Sequence, residues 1–157
     1  MMNFLSTLEN TGFATWLRES PSVWAYPTIL TLHTVGLAVL VGANTAVDLR
    51  VLGVAPAIPI GSLARAFPIM WIGFWVNALS GVVLFVADAT ATGTSTIFIA
   101  KLGIIAAGIA LIFVLKRTLY GQGVEQARTT DAARIVAVAS LAVWIAAIAT
   151  GRYMAYV

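Results

Sequence analysis

His33 is the residue of this chain best suited to chemistry, because it is the single histidine and lies inside a long apolar segment. Ionisable side chains within a bilayer cost at least about 2.5–3.5 kcal/mol each, so they face protein rather than lipid. The residues that share one helical face with His33 are Tyr26, Leu30, Leu37, Leu40, Asn44 and Asp48. We therefore predict that this face packs against protein. The imidazole would be a ligand, a proton relay or a hydrogen-bonding partner of a neighbouring helix.

Three further ionisable residues are predicted to lie near the same membrane surface as His33. Lys101 lies about one turn into a later apolar segment, and Asp88 and Arg152 end two others. A structural explanation exists for each of them. Asp88 and Lys101 flank one short turn and would form a salt bridge, while Arg152 would anchor a helix end by reaching the headgroups.

A haem of the b type would account for this convergence of charges. Its flat apolar ring requires an imidazole, an apolar slot and cations near its two propionates. We predict that His33 ligates the iron and that Lys101 and Arg152 hold the propionates. The other residues predicted to contact the haem ring lie on inward faces of the spans. They are Gly36, Gly81, Gly108 and Trp144. Glycines are also ordinary helix-packing residues. One histidine supplies one imidazole, so a second ligand would be Met, neutral Lys, water or a group from another subunit.

Several other chemistries have no matching pattern in the sequence. The absence of cysteine excludes disulfides, thiolate metal sites, iron–sulfur clusters and covalently attached haem. No phosphate-binding loop, His-x-x-x-His pair or paired carboxylate is present. A small transporter lined by Asn44, Asp48, Asn77 and Asp88 stays an alternative, as does a non-catalytic membrane subunit or scaffold. Whether the protein is an enzyme stays open.

The elements that position these residues are predicted to be transmembrane helices. Of 157 residues, 61% are hydrophobic and 10% are charged, whereas soluble domains carry about 25% charged residues. A span needs roughly 20 apolar residues, and the chain contains four such stretches, at about 25–49, 67–88, 97–115 and 133–151. The predicted fold is all-α, a single four-helix transmembrane bundle preceded by a short interfacial helix over 3–19.

The positions of the cations predict an orientation in the bacterial inner membrane. Two connections on one side of the spans hold six basic residues, namely Arg50, Arg65, Lys116, Arg117, Arg128 and Arg134. The other side, with both termini, holds only Arg18 and Arg152. The positive-inside rule therefore places both termini outside and accounts for the net charge of +3 without a nucleic-acid partner.

A weak internal repeat relates the two halves of the chain. Thr28, His33 and Gly53 recur as Thr96, Lys101 and Gly121 at a constant offset of 68 residues. The segment Trp75 to Gly81 resembles Trp144 to Gly151 after a slip of one residue. Two such hairpins would be related by an axis along the membrane normal. The repeat predicts equivalent positions for His33 and Lys101.

The third span also suggests a partner chain. Gly103, Ala107 and Ala110 form a stripe of small residues opposite Lys101, where a second copy would approach closely. We therefore predict a homo-oligomer. Electron transfer through a haem would in addition require a quinone or another redox partner.

Motifs along most of the chain resemble an uncharacterised family of small four-span bacterial membrane proteins. They are Ser22-Val23-Trp24 through Pro27, His33, Gly36, Gly42, Asp48-Leu49-Arg50-x-Leu52-Gly53, Phe98-x-x-Lys101, Trp144 and Gly151-Arg152-x-x-Ala155-Tyr156. The arrangement of a histidine near the start of one span and a lysine near the start of a later one is also similar to that in copper-resistance D and HemJ-type membrane proteins. The HemJ-type resemblance implies a haem b with His33 as ligand and Lys101 as its partner; it does not carry over the oxidase activity.

Overall fold

Helices account for nearly all of the regular structure in the computed structural model, which describes residues 2–22, 24–154 and 156. Within those residues seven α-helices follow one another. They are α1 (Met2–Glu9), α2 (Gly12–Glu19), α3 (Ala25–Val51), α4 (Ala66–Ala87), α5 (Ala89–Thr94), α6 (Thr96–Tyr120) and α7 (Asp131–Tyr153). Short 3-10 helices at Ile60–Arg65 and Val124–Gln126 lie in the two connections at the end of the bundle where most of the basic residues are found.

Four of these helices have the length and apolar composition of membrane spans: α3, α4 with the preceding 3-10 turn, α6 and α7. Each predicted span lies within one of these helices, except that Asp88 directly follows α4. The observed helices extend up to five residues beyond the predicted limits. The prediction of an all-α multi-pass membrane bundle is therefore confirmed. We call the end that carries both termini the terminal end and the opposite end the basic end.

The segment predicted as one interfacial helix over 3–19 forms two helices instead. The chain breaks between Glu9 and Gly12 because the Thr11 side chain accepts the Ala14 N–H and caps α2. Glu9 accepts a hydrogen bond of 2.8 Å from the Thr90 N–H, and hydrogen bonding from Thr90 holds the Glu9 pKa below its ordinary value. Arg18 donates to the Ala87 carbonyl at 2.8 Å. The amino-terminal helices are thereby fastened to the terminal end of α4 and α5.

Two antiparallel hairpins, α3 with α4 and α6 with α7, form the closest helix pairs in the bundle. Between α3 and α4 the backbones touch at two glycines. A Cβ on Gly36 would lie 2.5 Å from the Asn77 nitrogen, and one on Gly73 would lie 2.6 Å from the Leu40 nitrogen. Small residues of this kind allow transmembrane helices to approach closely.

Between the hairpins, α4 meets α6 through aromatic side chains rather than backbone. The ring centroids of Trp71 and Phe113 are 5.3 Å apart, and those of Phe85 and Phe98 are 5.5 Å apart. On the other side, α7 packs on α3, and the buried core combines residues of all four spans. The four spans therefore form a closed ring of neighbours, α3–α4–α6–α7, with a wide aromatic seam between α4 and α6.

The basic end is closed by its two connections. Arg50 donates to the carbonyls of Ile58 and Pro56 at 2.6 and 3.0 Å. The Tyr120 hydroxyl donates to the Ile60 carbonyl at 2.8 Å. These bonds fold the 52–65 connection back over the ends of α3 and α6.

Candidate cofactor site in the terminal half of the bundle

His33 lies at the contact between α3 and α4, eight residues and therefore about 12 Å after the start of α3. Its Nδ1 is 2.9 Å from the backbone carbonyl oxygen of Asn77 and 3.3 Å from Oγ of Ser80. The Asn77 amide nitrogen donates in return to the His33 carbonyl at 2.7 Å. The imidazole ring packs on Gly81, whose Cβ would lie 3.0 Å from Cε1. His33 and Asn77 thus hold each other in place, and the imidazole is half-buried.

The Asn77 carbonyl determines which imidazole nitrogen is free. A carbonyl only accepts, so Nδ1 must carry the hydrogen at a separation of 2.9 Å. The neutral ring then keeps its lone pair on Nε2. Histidines that bind metals commonly donate the other ring N–H to a carbonyl in this way, which fixes the tautomer and the ring orientation. The arrangement around His33 is therefore suited to a single Nε2 ligand bond.

Lys101 and Arg152 lie near one another at the terminal end of the α6–α7 hairpin. The Lys101 side chain runs past Gly151, where a Cβ would lie 3.4 Å from Cε and 3.5 Å from Nζ. Lys101 is half-buried and lies within electrostatic range of His33. The guanidinium of Arg152 is exposed and stacks on Tyr156 at 5.1 Å. The half-buried ammonium and the exposed guanidinium together form a cationic border at the terminal end.

The equivalence that the repeat predicts between His33 and Lys101 has a counterpart in their contacts. In the first hairpin His33 of α3 packs on Gly81 of α4. In the second, Lys101 of α6 packs on Gly151 of α7. With the slip allowed, the repeat aligns both members of each pair, and in each hairpin an ionisable side chain of the first helix lies beside a glycine of the second. The fit is tight only in the first, since a Cβ would lie 3.0 Å from the imidazole at Gly81 but at an ordinary contact distance of 3.4 Å from Lys101 at Gly151.

Gly36, Gly108 and Trp144 lie in contacts between helices. The space beside Gly36 is filled by the Asn77 backbone. That beside Gly108 is filled by Trp144, whose Cζ2 would lie 2.9 Å from an added Cβ. Trp144 itself is only 1% exposed. These contacts are helix packing, and contact of the three residues with a haem stays a prediction. Of the three predicted glycines, Gly81 alone borders the histidine.

Asp88 does not form the predicted salt bridge with Lys101. Among the residues that the structure describes, the salt bridges are Arg18 with Glu9 and Arg134 with Asp131, so Asp88 and Lys101 do not form one. Asp88 is exposed at the junction of α4 and α5, where its carbonyl accepts the Thr92 N–H. Its position as the link between two helices, rather than its charge, explains its contacts.

The inward face of α3 is confirmed for its middle and its basic end. Leu40, Asn44 and Asp48 are buried, whereas Tyr26 and Leu30 are exposed. Sequence reasoning missed Ser80, which lies one turn after Val76 on α4 and donates to the carbonyl of that residue at 2.6 Å. Its spacing of three residues from Asn77 was the available signal, since positions i and i+3 share a helical face.

A family model described as a family of unknown function (DUF6644) matches residues 11–157. The chain belongs to this family. The match begins just before α2 and covers all four spans of this DUF6644 member, as the resemblance to an uncharacterised family of small membrane proteins implied. Curated proteins and solved structures gave no match. The comparisons therefore lend no support to the similarity to copper-resistance D and HemJ-type proteins.

Proposed function

We propose that this protein binds haem b in the terminal half of the bundle, with Nε2 of His33 as an axial ligand, and serves electron transfer. The observation that carries the proposal is the contact of 2.9 Å between Nδ1 and the Asn77 carbonyl, because it reserves the Nε2 lone pair for a ligand bond. Bound haem b supplies a one-electron iron couple. The chain contributes a fixed imidazole and, at the terminal end, two cations.

The two cations at the terminal end are consistent with a bound dianion. A haem carries two propionates, and carboxylates at a membrane boundary are stabilised by nearby cations. Lys101 and Arg152 are the residues that would hold them. Among the described residues, no set of three or more His, Cys, Asp or Glu side chains is placed to share a metal ion. Iron held by a porphyrin needs only one or two ligands from the protein, so the His33 imidazole suffices as a protein ligand.

The cofactor prediction concerns the absorption spectrum of the purified protein. Expressed with a haem supply, it should show a Soret band and reduced b-type α and β bands, and acid acetone should extract the haem because no cysteine tethers it. His33→Ala should abolish or strongly shift these bands. Thr34→Ala, at the adjacent exposed position of α3, is the matched control and should leave them unchanged. A colourless wild-type preparation, or unchanged bands in His33→Ala, would contradict the proposal.

The alternative is a non-catalytic subunit or scaffold of a larger membrane complex. Its supporting observation is the reciprocal bonding of His33 and Asn77, which would stabilise α3 against α4 without any ligand. Such a protein would be colourless and would purify with other chains. If haem is present, the electron partner would be a quinone or another redox protein.

We further propose that the protein lies in a bacterial inner membrane with both termini outside, and that it assembles as a homo-oligomer. The orientation follows from the excess of basic residues at the basic end. The homo-oligomer would use Gly103, Ala107 and Ala110 of α6, which are exposed in the single chain.

The topology prediction uses single cysteines, because the chain has none of its own. Gln122→Cys at the basic end should react with a membrane-impermeant thiol reagent only in inverted vesicles. Ala91→Cys on α5 should react only in intact, right-side-out spheroplasts. Both positions are exposed. The opposite labelling pattern would place the basic end outside and would contradict the proposed orientation.

A further inference from the structure

A second polar cluster lies in the basic half of the bundle and has no part in the proposed haem site. It consists of Asn44, Asp48 and Ser140, which we call the aspartate cluster. Asp48 and Ser140 are 0% exposed and Asn44 is 1% exposed. Asp48 is fifteen residues from His33 on the same helix, which corresponds to about 22 Å. The two groups of polar residues are therefore separate sites.

The three side chains of the aspartate cluster contact one another directly across the α3–α7 interface. The Asn44 amide lies 2.6 Å from Oδ2 of Asp48 and 2.8 Å from Oγ of Ser140. Within the described part of the chain, Oδ1 of Asp48 and Oδ1 of Asn44 are buried without a hydrogen-bond partner. An ionised Asp48 would thus have one carboxylate oxygen that receives no hydrogen bond in an interior where unpaired charge is costly.

The basic residues around Asp48 are engaged elsewhere or exposed. On α3 itself, Arg50 donates to the 52–65 connection. Lys116 of α6 lies over the Phe67 ring at 5.7 Å, and Arg134 of α7 pairs with Asp131 at 3.3 Å. The remaining titratable side chains at this end are Arg65, Arg117, Glu125 and Arg128, which are exposed, and Tyr120, which donates to Ile60. Asp48 forms no salt bridge with any described residue.

We propose that the aspartate cluster is a buried proton-binding site and that Asp48 carries the proton in the folded protein. A cation must neutralise the carboxylate, and a proton is the cation that fits between side chains already in contact. The distance of 2.6 Å between Asn44 and Asp48 is short for an N–H···O bond but ordinary for O–H···O. Amide oxygen and nitrogen have the same shape. Turned over, the Asn44 amide would accept from both the Asp48 O–H and the Ser140 O–H.

The location of the cluster determines which aqueous phase exchanges protons with it. Asp48 lies three residues before the end of α3 at the basic end, about 4.5 Å along the helix. Asp48 is 0% exposed, so protein atoms separate its carboxyl group from water at this end. Proton exchange with the basic side would therefore require the basic end of the bundle to open.

Infrared spectroscopy of the carbonyl stretch of a protonated carboxyl group tests the proposal. The chain has three aspartates, Asp48, Asp88 and Asp131, of which the last two are exposed. The wild type at neutral pH should show one such band, shifted by ¹³C-labelled aspartate and by deuterium exchange. Asp88→Asn with Asp131→Asn, which leaves Asp48 as the only aspartate, should retain the whole band, and Asp48→Asn should lose it.

The labelled double variant decides the question even if Asp48→Asn fails to fold. Absence of the band at neutral pH in that variant would overturn the proposal, because Asp48 would then be ionised. A band that appears only after sodium is removed would also overturn it and would identify a metal cation as the ligand. The aspartate label separates Asp48 from the propionates of any bound haem, so the result is independent of the function proposed above.

Discussion

Gly36→Leu is expected to lower the free energy of unfolding of the bundle by about 3 kcal/mol, at the upper end of typical overpacking costs. The reason is that a Cβ at this position would lie 2.5 Å from the Asn77 nitrogen and 2.9 Å from the Gly73 carbonyl oxygen. Both are backbone atoms of α4 and cannot rotate away. The two helices would have to separate, which would also pull Asn77 from His33.

Gly42→Leu is the matched control for this experiment, because Gly42 lies on the same helix and has no atom within 4 Å of an added Cβ. It should leave stability within about 0.5 kcal/mol of the wild type, as surface substitutions usually do. Thermal or denaturant-induced unfolding in detergent measures both variants. Equal stabilities of the two would show that the backbones of α3 and α4 are not in contact at Gly36.

Trp144→Ala is expected to cost about 3–5 kcal/mol, the usual range for removing a buried tryptophan. Trp144 is 1% exposed and its indole lies directly on Gly108. Trp75→Ala, at a position that is 58% exposed, is the control and should have a small effect. The measurement is again unfolding in detergent.

A double substitution that enlarges the side chain on α6 and shortens the one on α7 tests the same contact. Gly108→Leu alone should destabilise, since its Cβ would lie 2.9 Å from the indole. Gly108→Leu combined with Trp144→Ala should cost less than the sum of the single changes by about 1 kcal/mol or more, because the leucine fills the space that the indole leaves. Strictly additive costs would contradict the contact. Gly42→Leu, which meets open space on α3, is again the control and should be nearly neutral.

The four spans could be predicted from the sequence because each needs only a long apolar segment, and such segments are local features. The face of α3 that holds Leu40, Asn44 and Asp48 was predictable for the same reason, since side chains on one helical face recur with a fixed period. Tyr26 and Leu30 follow the same period yet are exposed. Periodicity identifies the face of a helix, but it does not indicate where along that face a neighbouring helix begins to cover it.

The functions of individual glycines could not be predicted, because they depend on which helix lies opposite. Gly36, Gly81 and Gly108 look alike in the sequence, yet they face a backbone, an imidazole and an indole respectively. The hydrogen bonds of the aspartate cluster were also missed. Asn44 and Ser140 are ninety-six residues apart, and only the packing of α3 on α7 brings them together.

The contrast between backbone contact within each hairpin and aromatic contact between α4 and α6 has a consequence for biosynthesis. Membrane helices insert first and associate afterwards, and neighbours in sequence meet soonest. The α3–α4 pair should therefore close as the ribosome completes it, and α6–α7 should close later. Asn44 and Asp48 would remain without Ser140 until the two pairs dock. A nascent chain that stalls before docking would expose a carboxyl group within the membrane, a feature by which a quality-control protease could distinguish it from the finished protein.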